Sequence, residues 1–198
     1  TQLTAISALP RLADDAKDVT RLALTDFAKH ELIFATLARS ELNVTRRVAV
    51  ARYPVAVALS PGGATLAVAS RWSRRLTFVS PGDAASKPRV VDLPFSPGSL
   101  VFAEDGSLIV AEAFGGRIGV LRHGESRIQL HELPVHNVRD LALKDGRLWF
   151  SHQLLRDTAR TEEEHIHWGV LIENFVSSLP LESRVHPDDS TADDSTLR

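Results

Sequence analysis

The residues best equipped for chemistry are histidines in the last third of the chain. His165 and His167 flank Ile166 and precede Trp168. On an extended strand, side chains at i and i+2 project from one face, so two imidazoles spaced this way can share a metal ion. Glu163, Glu164 and His152 stand near them in sequence and would complete a donor set for copper, zinc or iron. The same residues also suit a polar loop whose histidines bond backbone or solvent, or a contact surface for a partner chain. Ser151-His152-Gln153 reads as the close of an inner strand, with His152 either facing a central channel or buried and satisfied by one neighbour.

Two further groups carry charge beside aromatic or glycine residues. Arg71, Arg74 and Arg75 surround Trp72, an arrangement that can stack on a planar ligand, bind an acidic partner, or sit as snorkelling arginines on an exposed turn. Arg117 follows Gly115-Gly116 and precedes Ile118-Gly119. That glycine-rich stretch lacks the strand–loop–helix setting of a phosphate cradle and reads as a hairpin turn. No nucleophile elbow and no ordered Ser/His/Asp set is present as a sequence signal. Glu162-Glu163-Glu164 reads as a solvated loop, and Asn43-Val44-Thr45 fits a glycosylation sequon.

The elements that must position these residues are short strands. Val55–Val68 runs as a strand of small and β-branched residues, a turn at Pro61-Gly62-Gly63, and a second strand. Related text returns with turns at Glu104-Asp105-Gly106 and Lys144-Asp145-Gly146, and in weaker form upstream. A period near 40 residues with about four strands in each is the signature of propeller blades. The segments lack the 3.6-residue stripe that helical repeats of similar period require. The expected fold is all-β: a β-propeller of about four blades forming part of a larger, seven- or eight-bladed ring. A β-sandwich is the competing architecture. Blades are expected near 19–53, 54–96, 97–135 and 136–181, the last with an insertion at 152–169. Residues 1–18 read as an N-terminal extension able to add a strand to a sheet edge, and 182–198 as a flexible acidic tail.

Composition bounds the partners. The net charge of -2 gives no basis for nucleic acid, and no apolar run is long enough for a membrane helix. Cysteine is absent, so this chain offers neither a thiolate metal site nor a CxxCH haem attachment. Methionine is absent too, so Thr1 is not an initiator and a processed N-terminus is expected. Four blades leave open edges and apolar faces. A second polypeptide, an excised remainder of the same precursor, or a second copy of this chain is therefore expected to complete the ring.

The text Ala58–Ala69 resembles the YVTN-type β-propeller repeats of secreted and periplasmic bacterial proteins. Arg147–Leu155 followed by His165–Ile172 resembles the propeller portion of bacterial di-haem cytochrome c peroxidase-like proteins. The resemblance spans roughly residues 19–180. It implies an extracytoplasmic scaffold and interaction module of a redox protein, with c-type haem carried on polypeptide outside this chain and a possible redox partner. Under it His152, His165, His167 and Trp168 form the functional surface, with Arg71, Trp72 and Arg117 secondary. Peroxidase-like activity would require the haem-bearing portion. A non-redox protein- or polymer-binding propeller and a metal-dependent propeller hydrolase or lactonase remain the alternatives.

Overall fold

A computed structural model describes residues 2–13, 16–155, 163 and 172–181. Among them the chain forms four antiparallel sheets in sequence order. The first contains β1 (Leu3–Leu9), β2 (Val19–Asp26), β3 (Glu31–Ala38) and β4 (Glu41–Ala49). The second contains β5 (Pro54–Leu59), β6 (Leu66–Ser70), β7 (Arg75–Val79) and β8 (Arg89–Asp92). The third contains β9 (Pro97–Phe102), β10 (Leu108–Glu112), β11 (Arg117–Leu121) and β12 (Gln129–Glu132). The fourth contains β13 (His136–Lys144), β14 (Arg147–Leu155) and β15 (Ile172–Pro180). The all-β propeller architecture read from the repeat is the architecture observed. No helix among the described residues is long and apolar enough to cross a membrane.

The sheets stack face to face, and the side-chain alternation of their strands shows how. Leu66 and Val68 of β6 join Leu32 and Phe34 of β3 in the core between the first two sheets. Ala67 and Ala69, on the opposite face of β6, join Leu100, Leu108 and Val110 in the next core. β10 repeats the device: Ile109 and Ala111 turn the other way and pack with Val138, Leu148 and Phe150 of the fourth sheet. A strand buried on both faces needs a continuous apolar run rather than an alternating one, which is why Leu66–Ala69 and Leu108–Ala111 read as they do. The first strands of the sheets form the inner row, with β1 against β5, β5 against β9 and β9 against β13. Ser99 Oγ on β9 donates to Asp140 Oδ1 on β13 at 2.8 Å and pins the last two together.

Three placements differ from the sequence reading. Leu3–Leu9 lies within the segment set apart as an extension, and it is the inner strand of the first sheet, paired with β2. The sequence reading starts the insertion at 152, but His152–Leu155 continues β14, because His152 pairs with Phe175 and Leu155 with Ile172. β14 is the middle strand of its sheet and not the inner one, since β13 occupies the row against β9. The tail at 182–198 and most of the segment between β14 and β15 lie outside the described residues.

The two faces at the ends of the stack differ from those inside it. On the first sheet, Leu24, Ile33 and Ala35 form a small cluster on the side away from the second. Their cross-strand neighbours on that side, Ile6 opposite Leu24 and Val44 opposite Ala35, are exposed, as are Leu37 and Leu42. On the fourth sheet, Trp149, Leu155, Ile172 and Val176 are exposed on the side opposite Phe150.

Candidate functional site

Antiparallel order puts the β2–β3, β6–β7 and β10–β11 turns at one end of their sheets, together with the connections that lead into β5, β9 and β13. Backbone bonds join the two kinds of loop: Val50 N to His30 O, Arg71 N to Tyr53 O, Ala113 N to Ser96 O and Leu133 N to Gly116 O. The segment between β14 and β15 leaves from the same end. This rim holds the sequence-selected Arg71, Trp72 and Arg117, and His152–Leu155 of β14 approach it.

Aromatic side chains bridge the loops along the rim. Tyr53 packs 5.3 Å from Phe27 and edge-on to His30 at 4.9 Å, and its backbone N–H donates to His30 Nδ1 at 3.1 Å. Tyr53 and His30 both have positive φ, 65° and 60°, as does Arg74 at 53°. Such conformations in non-glycine residues cost energy and persist where the surroundings enforce them, often at functional surfaces. Further round, Trp72 stacks on Phe114 with centroids 5.5 Å apart and planes 27° from parallel. These rings are 57% and 52% exposed, an unusual state for large aromatics already in contact. The Arg71 guanidinium lies 5.9 Å from the Phe114 ring and donates from Nε to Pro97 O at 3.4 Å. Burial first, and then the neighbouring Arg139 charge, hold the Arg71 pKa below its ordinary value.

Arg117 behaves differently. Its Nη2 and Nε bond Glu112 at 2.5 and 2.9 Å in a two-pronged ion pair. The hydrogen bond from Arg117 is the main cause holding the Glu112 carboxyl below its usual range. With its charge matched, Arg117 supplies order to the β10–β11 hairpin. An open cleft beside it is lined by Glu112, Gly116, Glu132, Pro134 and His136.

His152 is 4% exposed and lies in the fourth sheet, with Nε2 2.9 Å from Ser177 Oγ. Phe150 and Phe175 pack against its ring at 5.2 and 5.8 Å. Its Nδ1 is buried without a partner among the described residues. His165, His167, Trp168 and Glu164 lie outside the described residues; Glu163 is described and exposed. No group of three metal-ligating side chains occurs among the described residues. Phe27, Tyr53, Phe114 and Arg139 were not selected from sequence. The available signal was an aromatic residue in or next to each of the first three rim turns.

No protein-family model and no curated protein matches the chain. Solved structures do match in shape. Hydrazine synthase of Kuenenia stuttgartiensis superposes with a TM-score of 0.55 at 16% identity, over 82% of this chain and 60% of that one. A catalytically inactive virginiamycin B lyase from Staphylococcus aureus, crystallised with quinupristin, gives 0.61 at 13% identity, over 92% and 56%. The RRP9 WD40 repeats give 0.58 at 11% identity, over 77% and 47%. The chain is similar to β-propeller proteins in fold, and it spans less than two thirds of each of these neighbours.

Proposed function

We propose that this chain is the scaffold and docking part of an extracytoplasmic β-propeller whose ring is completed by further polypeptide. The observation that carries the reading is the contrast between sheet faces. Inside the stack each face packs apolar side chains against a neighbouring sheet, whereas both end faces present exposed aliphatic or aromatic side chains at positions that are buried in the middle sheets. Wedge-shaped sheets bury such faces against a neighbouring wedge. Four sheets in a chain spanning 56% and 60% of two propeller neighbours fit a ring of about seven blades, within the usual range.

The resemblance over residues 147–155 and 165–172 gives the docked partner its chemistry: a c-type haem module of the di-haem cytochrome c peroxidase-like kind. In this assembly the haem portion performs the redox step. This chain's rim orients that portion through Arg71 and the exposed Trp72, while His152, enclosed in the fourth sheet, supports the rim from within. Native mass spectrometry of the assembly purified from its source tests the reading. A companion polypeptide with a co-purifying Soret band is expected. A sealed, stable species of this chain alone would refute it, and a companion without haem would reduce it to a protein- or polymer-binding propeller.

A further inference from the structure

The strongest unassigned feature lies where the second, third and fourth sheets meet at the rim. Arg71 reaches from the end of β6 to Pro97 O, at the start of β9. Two residues along β9, Ser99 bonds Asp140 of β13, the neighbour of Arg139. The two arginines therefore flank the opening turn of one inner strand. Among the described residues neither forms an ion pair: Glu112 is matched to Arg117, and Asp140 accepts from Ser99. Like charges left beside each other without a counter-charge cost energy unless an anion is supplied. Burial chiefly, and repulsion from Arg139 after it, hold the Arg71 pKa below its ordinary value, in keeping with that arrangement. Beside Arg71 stands the exposed Trp72–Phe114 stack.

We propose that Trp72, Phe114, Arg71 and Arg139 form a docking site for an acidic, partly apolar segment of a partner polypeptide. Aromatic rings and arginines are the side chains that concentrate binding energy at protein interfaces. The rings are more than half exposed, which suits a polypeptide laid across the rim better than a small ligand needing enclosure. The chain's net charge of -2 argues against a nucleic-acid backbone, whose capture requires a broad basic surface. The proposal deepens the docking reading above by giving the docked segment its charge.

The test uses the full chain in its natively purified assembly and two fluorescein-labelled octapeptides, one alternating Glu and Leu and one alternating Lys and Leu. Fluorescence anisotropy should show binding of the acidic peptide, weakened as salt rises, and no comparable binding of the basic one. The double variant R71E/R139E should lose about tenfold or more in affinity, and Trp72→Ala about fivefold or more. Circular dichroism of each variant checks that the sheets are intact. All these residues are partly or fully exposed, and a misfolded double variant is replaced by the single variants R71Q and R139Q, each expected to lose about threefold or more. Equal binding of both peptides, binding of neither, or unchanged affinity in folded variants overturns the proposal. So does self-association of the chain that Trp72→Ala abolishes, which would make the rim a contact between copies. If the variants lose the acidic peptide but retain the companion polypeptide, ring completion stands and this site serves another segment. If no companion exists yet the peptide binds, the site stands and ring completion fails.

Discussion

His152 Nε2 faces Ser177 Oγ at 2.9 Å across the β14–β15 ladder, the one hydrogen bond of an enclosed imidazole among the described residues. With Phe150 and Phe175 against its ring, His152 acts as a core residue of the fourth sheet. His152→Ala should lower unfolding free energy by about 2–4 kcal/mol, as truncations that leave a cavity do. Ser177→Ala should cost about 1–3 kcal/mol, because it strands the imidazole nitrogen. Urea unfolding of each variant measures both, and a loss under about 0.5 kcal/mol for His152→Ala, typical of surface positions, would remove His152 from the core.

Asp26 ends β2 fully buried, and its Oδ1 accepts from the backbone N–H groups of Gln2, Ala28 and Lys29 at 3.3, 3.1 and 3.1 Å. Burial alone would raise its pKa, but these amides together hold it below the ordinary 3.8. A carboxyl depressed on folding stabilises the fold fully above its unfolded value and loses that contribution as pH falls through the folded one. Stability should therefore decline below pH 3.8 more steeply in the native chain than in Asp26→Asn. At neutral pH Asp26→Ala should cost about 1–3 kcal/mol by leaving amides unbonded. Thermal unfolding between pH 3 and 7 tests the sign; parallel pH curves for native and Asp26→Asn protein would refute it.

Gly116 sits where the β10–β11 turn crosses the connection into β13. A side chain there would collide with the carbonyl oxygens of Leu133 and Val135, and both are backbone atoms that cannot swing aside. Gly116→Ala should lower stability by about 1–3 kcal/mol. Gly124→Ala meets open space, but its φ of 81° makes it a strain control in a different turn. Hydrogen exchange should locate the damage of Gly116→Ala at the junction of the third and fourth sheets.

The exposed end face of the first sheet gives a direct test of ring completion. Leu42→Asp and Val44→Asp alter side chains that are each 48% exposed, so the chain's own stability should change by no more than about 0.5 kcal/mol. A companion seated on that face would meet two buried charges, and its recovery in a native pull-down should fall about tenfold or more. Full recovery with both substitutions present would mean that nothing docks there.

Much of this fold was legible because burial on both faces leaves a mark in one dimension. Leu66–Ala69 and Leu108–Ala111 are continuous apolar runs, and each is split between two cores by simple alternation. The inner strand Leu3–Leu9 was harder to see. Its Thr4, Ser7 and exposed Ile6 leave a weak alternation that reads only as an added edge strand, and it is pairing with β2 and contact with β5 that make it the inner strand of the first sheet. The end of β14 was hidden for a related reason. His152 and Gln153 read both as the close of a strand and as the start of a polar insertion, yet one packs between phenylalanines and the other bonds Asn174 across the ladder. Of the rim, Arg71 and Trp72 announced themselves by clustering. Phe114 and Arg139 join them through contacts 42 and 68 residues away from Trp72 and Arg71, a distance that no local pattern records.

Leu181 is tied by its backbone N–H to Gly146 O, in the hairpin at the pole opposite the rim. Leu181 and Gly146 stand at that far pole, with the whole height of the fourth sheet between them and the aromatic loops. A fluorophore or affinity handle placed at the exposed Asp145 of that hairpin would thus report on the molecule without shading the surface where partners are expected to land.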